Sequence, residues 1–209
     1  PRKVGRATTS LTKGVVILVN YSDVSMKSGN TLSAFRDMMM NDTYSFNSNY
    51  PGSAHKYFYD QSNGKFNPQF DVYGPYTLDN NRAYYGANDP QNENNDVKSE
   101  YMIQDACVKA NADVDFSKYD LDNDGYVDFV YVIYAGNGEA DSEVEDAVWP
   151  HSWNLYKSAG ITQICDGKKI DLYACSSELN GSGQRAGIGT FCHEFSHVIG
   201  MPDYYDIDY

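Results

Sequence analysis

Two strongly apolar runs limit the architecture more than any other feature. VVILV, from Val15 to Val19, and VDFVYVIYA, from Val127 to Ala135, have strand length and read as interior strands. Interior strands need covering layers, and helical patterns supply them. Thr31 to Asn41 carries Leu32, Phe35, Met38 and Met39 on one side, and Ser53 stands where it can cap a helix through SAHKYFYDQS. A further helix is predicted from about Asp96 to Ala110. Phe66 to Leu78 is strand-like, but Pro68 and Pro75 confine it to an edge or a meander. Asp79 to Asn95 reads as a loop, and Ile161 to Ser176 as a hairpin turning near Asp166-Gly167. The alternation, without repeats or a linker, predicts one α/β domain with a mixed twisted sheet. An α+β arrangement is the variant, and strand direction is left open.

The chain has 209 residues, enough for one sizeable core. No apolar run approaches the roughly 18 residues of a membrane span, so no membrane insertion is expected. The net charge of −13 disfavours nucleic acid and anionic membranes, which call for positive surface. It suits cation binding and solubility outside cells. Residues 1–13 lack the apolar stretch of a signal peptide and read as a propeptide remnant or flexible lead-in. Cys107, Cys165, Cys175 and Cys192 are not spaced as a zinc ribbon, and their pairing is open.

The chemistry concentrates in GTFCHEFSHVIGMPDYYD, Gly189 to Asp206. Residues four apart share a helix face, so His193 and His197 project side by side and can hold one metal ion. Glu194 is turned about 100° from His193, which suits a base acting on water rather than a ligand. Gly200 can end the helix in the left-handed conformation, and Pro202 cannot continue it. The chain then bends back and brings Asp203 forward as the third ligand of a catalytic zinc site with an open position. Asp206, Asp208 and residues beyond Tyr209 are rival third ligands. The blander reading is a buried helix whose imidazoles meet backbone carbonyls. A Cys192 nucleophile is disfavoured, because adjacent helical residues do not face each other.

A second motif, DLDNDGYVD, sets Asp120, Asp122, Asp124, Tyr126 and Asp128 at positions 1, 3, 5, 7 and 9 of an EF-hand-like calcium loop, with Gly125 at position 6. Position 12 is Tyr131, and a strand comes next instead of a helix. The expectation is a structural Ca²⁺ on another scaffold, against an Asp/Asn turn that needs no ion. Glu139, Asp141, Glu143, Glu145 and Asp146 read as a solvated acidic loop. His55 reads as a packing histidine. His151, between Trp149 and Trp153, is a candidate cleft residue, with a structural role as its rival.

The histidine stretch resembles the metzincin pattern HExxHxxGxxH with Asp203 in place of the third histidine. More narrowly the chain is similar to the immune inhibitor A type of bacterial metallopeptidase, peptidase family M6. YDLDNDGYVDFVYVIYAGNGEA, VWPHSW and KGVVILVNYSD add to the likeness. The resemblance implies a metzincin-like catalytic domain over 1–209, with His193, His197 and Asp203 on zinc and Glu194 as general base. It also implies a secreted enzyme acting on polypeptides. The methionine turn of that pattern lies downstream of the third ligand, and Met201, between the second and third, cannot serve as it. The expected function is a secreted zinc endopeptidase; the alternative is a calcium-dependent adhesion module with a non-catalytic zinc site.

Overall fold

The VVILV run becomes β1, Lys13–Asn20, and it lies inside a five-stranded sheet. A computed structural model describes residues 11–45, 51–142 and 144–203, the side chains of 92–95 excepted. β2 (Gln69–Thr77), β1, β5 (Val130–Asn137) and β9 (Leu172–Leu179) run parallel, and β6 (His151–Asn154) closes the far edge antiparallel to β9. The order across the sheet is β2-β1-β5-β9-β6. A parallel interior strand is covered on both faces, which explains why its sequence is continuously apolar. Val15, Ile17, Val19, Val130, Val132 and Tyr134 point to one core, and Val16, Leu18, Tyr131 and Ile133 to the other.

The first core is capped by α4 (Ser99–Ala110), through Met102, Ile103, Ala106 and Cys107. The second holds α1 (Leu32–Met40), α2 (Ala54–Gln61) and α6 (Ile188–Val198). Thr31 and Ser53 cap α1 and α2, accepting from the amides of Ala34 and Lys56. β1 passes close to the lead-in of β5 at Gly14, where a Cβ would fall inside the Phe129 ring. The product is a three-layer α/β arrangement with a mixed sheet, as expected. Among the described residues no helix is long and apolar enough to cross a membrane.

Several local expectations change. The segment read as loop contains α3 (Arg82–Gly86) and a small antiparallel pair, β3 (Asn88–Asp89) with β4 (Asn92–Asp96). The hairpin is shorter than predicted, β7 (Gln163–Cys165) with β8 (Lys168–Ile170), and the remainder of the stretch belongs to the interior strand β9. Between β6 and β7 lies α5 (Leu155–Ala159), a single short turn. All four cysteines are buried free thiols. Glu143, Asp206 and Asp208 lie outside the described residues.

Asp96, at the end of β4, holds the segment leading into β6: its Oδ2 accepts the Trp149 amide at 3.0 Å. Its Oδ1 is buried with no hydrogen-bond partner. Burial pushes this carboxyl up to about 7; the Trp149 amide opposes the shift, and Glu139 and Glu100 add to it. Between the unfolded value near 4 and about 7, the folded chain therefore holds a proton that the unfolded chain has lost. Stability from this group falls as pH rises through that window. Asp96→Asn keeps an acceptor for Trp149 and removes the ionisation. In thermal melts from pH 5 to 8, the variant's advantage over wild type should grow with pH.

Candidate metal centre

α6 presents its residues on two sides. Phe191, Cys192, Phe195 and Val198 are buried. Phe195 stands 4.8 Å from Phe129, 5.1 Å from Phe58 and 5.2 Å from Phe70, ring centre to ring centre. Phe191 lies 4.3 Å from Tyr131. Such aromatic pairs add about 0.5–1.5 kcal/mol each beyond area burial, so the helix is firmly seated. The face carrying His193 is consequently left toward solvent, while Glu194 is turned inward and buried.

The helix ends in a Schellman turn. Gly200 takes φ +94°, its amide donates to the His197 carbonyl at 2.9 Å, and the Met201 amide donates to Ser196 at 2.9 Å. The Met201 carbonyl then meets His197 Nδ1 at 2.9 Å. This bond assigns the ring proton to Nδ1 and leaves Nε2 as a lone pair. Pro202 carries the chain onward, and Asp203 returns to the helix. His197 Nε2 lies 3.2 Å from His193 Nε2 and 3.3 Å from Asp203 Oδ1, and His193 Nε2 lies 3.7 Å from that same oxygen.

These separations fit a metal. Zinc bonds of about 2.0–2.1 Å in a tetrahedron require ligand atoms roughly 3.3 Å apart. Two imidazole nitrogens and one carboxylate oxygen also make a donor set that zinc accepts. Glu194 Oε1 stands 3.9 Å from His193 Nε2, beside the ligands. Burial pushes the Glu194 carboxyl up to about 7; His197 opposes the shift and Asp203 adds to it.

The model of the immune inhibitor A peptidase M6 catalytic domain matches residues 3–209. The chain belongs to peptidase family M6. It is 27% identical over 184 residues to the pre-pro-metalloprotease PrtV of Vibrio cholerae, in both of two serotype O1 strains. That stretch is 75% of this chain and 19% of the relative. It is 25% identical over 179 residues to immune inhibitor A of Bacillus thuringiensis subsp. alesti, 74% of this chain and 26% of that protein. The M6 chain thus spans a minor part of the curated relatives it matches, and membership of the family implies a metal.

The second motif also converges. Carboxylate oxygens of Asp120, Asp122 and Asp124 lie within 4.8 Å of one another. Asp120 is buried and accepts the amides of Asp124 and Gly125, both at 3.0 Å. Asp124 accepts the Tyr126 amide at 2.9 Å. Asp128 stands outside this group and accepts the Leu121 amide at 3.1 Å. Sequence reasoning missed Lys168, whose Nζ reaches Asp120 Oδ2 at 2.8 Å from the β7–β8 hairpin. Nothing local in a hairpin lysine signals a partner 48 positions away.

The remaining candidates lie apart from the metal centre. His55 bridges Asp42 and Asn67 at 3.1 and 2.7 Å. His151 pairs across the sheet with Cys175, whose side chain belongs to the α4 core, so its ring is on the opposite face from α6. Burial holds the Cys192 thiol well above the usual thiol range, which removes it as a nucleophile. In the acidic loop, Asp141 accepts the Gly181 amide and Glu139 the Asn88 side chain.

If the three donors form the metal centre, alanine at His193 or His197 lowers bound zinc from about one ion per chain to near zero. Elemental analysis measures this, and circular dichroism checks that the fold persists. Asp203→Asn should bind zinc more weakly than wild type yet more tightly than either histidine variant.

Proposed function

We propose that this chain is the catalytic domain of a secreted zinc endopeptidase that cleaves extended polypeptide. The observation that carries the reading is the Glu194 carboxylate standing beside three converging ligand atoms. Zinc held by His193, His197 and Asp203 would supply Lewis-acid chemistry, making water acidic near neutral pH and polarising a peptide carbonyl. Glu194 then accepts the proton of the attacking water and passes it to the leaving amine. The Met201 carbonyl holds His197 in the tautomer that can bind metal. Extended substrate is accommodated along β6, the edge strand that α6 packs against, by addition of a strand.

Glu194→Ala tests the base. Zinc content should be unchanged while cleavage of an unfolded protein falls by about 10²–10⁴-fold, the usual contribution of a general base. Equal activity in both proteins would refute the role. Stoichiometric zinc in a wild-type chain that cleaves no peptide library would favour the adhesion-module alternative.

A structural calcium is the second part of the reading, supported by the convergence of Asp120, Asp122 and Asp124. Such an ion would fasten the start of β5 to the loop before it. Calcium added at about 100 times its Kd to zinc-loaded, calcium-free protein should stabilise it by about 2.7 kcal/mol, raising Tm by roughly 5–10 °C. The Asp122→Asn/Asp124→Asn variant should show no such rise.

A further inference from the structure

The VWPHSW segment is not used by the chemistry above, yet its histidine is bonded at both ring nitrogens. His151 Nδ1 meets the Trp149 carbonyl at 2.7 Å, and Nε2 meets the Tyr173 hydroxyl at 2.8 Å. Tyr173 is fully buried in β9 and stands edge-on to the imidazole, ring centres 5.3 Å apart. Cys175 Sγ lies 3.5 Å from Nδ1. One ring thus joins the segment before β6, β6 itself and the interior strand beside it.

β6 needs such an anchor. It has only four residues and is paired on one side, to β9. Backbone pairing over so short an edge gives little resistance to fraying. In an antiparallel pair, opposed residues share a face. His151 and Trp153, opposite Cys175 and Tyr173, lie on the α4 side of the sheet, with Trp153 exposed; Ser152 and Asn154, opposite Ala174 and Leu172, lie on the α6 side. The imidazole therefore cannot touch a peptide held at the metal centre, and any influence it has on cleavage is exerted through the strand.

We infer that His151 is a positioning residue: it holds β6 in the shape onto which an extended polypeptide adds as a further strand. The inference rests on the peptidase reading for its substrate, but the anchoring itself does not. Strand addition is made equally in the bound and transition states, so loosening it weakens binding and leaves the chemical step alone.

The zinc-loaded chain and its His151→Leu, His151→Gln and Tyr173→Phe variants carry the test. Tyr173→Phe deletes one hydroxyl and keeps the core shape, so it serves where the leucine variant does not fold. Hydrogen exchange should show the amides of Ser152 to Asn154 opening faster in His151→Leu and Tyr173→Phe, while those of α6 stay unchanged. KM for an extended peptide should rise about 3- to 10-fold with kcat within about twofold, the loss of one or two net hydrogen bonds. His151→Gln, which can still accept from Tyr173, should recover part of the KM. Unchanged exchange in β6 overturns the anchoring. Faster exchange with an unchanged KM, or a fall in kcat alone, overturns its link to substrate. A wild-type chain that exchanges as described but cleaves nothing overturns the peptidase reading and the substrate half of this inference together, leaving the exchange result to decide the anchor.

Discussion

The turn at Gly200 governs the candidate metal centre. A residue with positive φ is needed there for the two terminal amide bonds to close, and glycine takes that conformation without a Cβ penalty. Once the turn closes, Met201 is used twice: its amide returns to Ser196, and its carbonyl sets the tautomer of His197. Two residues later Asp203 is brought within 3.3 Å of the same imidazole. Ligand orientation and ligand placement are thus consequences of one backbone geometry, and neither would survive a helix that ran on by another turn.

That geometry has to be held against something rigid. The aromatic side chains of α6 meet Phe58, Phe70, Phe129 and Tyr131, which come from a helix, two strands of the sheet and the lead-in to β5. Each fully buried phenylalanine contributes about 1.5–3 kcal/mol, far more than the helix gains from its uncapped N-terminus. Packing on one side of α6 also decides which residues face outward. The same rotation that buries Phe191 and Phe195 exposes His193 and draws Glu194 inward, so that the proposed base and the proposed ligand differ in burial although they are neighbours in the chain.

Much of this was legible in the sequence because it is local. The apolar runs, the capping residue Ser53, the i, i+4 histidines and the Gly-x-Pro-Asp stop all act within a few positions. Gly200 takes the left-handed conformation expected of it. The features that were not legible depend on partners far away in the chain. The Asn-rich segment from Asp79 hides a short helix and a strand pair, since its polar residues obscure any period. β9 reads as a hairpin arm because Cys, Ser and Glu interrupt it, yet it lies inside the sheet, and its Glu178 is buried by accepting the Lys27 amide, the Asn30 side chain and the Gly136 amide. The side of the sheet that His151 occupies is set by its register against Cys175, which no single-strand pattern contains.

The most direct test is an anomalous difference map at the zinc edge from zinc-replete crystals. One peak is expected about 2 Å from Nε2 of His193, Nε2 of His197 and a carboxylate oxygen of Asp203. An empty map there, with the two imidazoles turned away from each other, would contradict the assignment of the metal centre and the chemistry built on it.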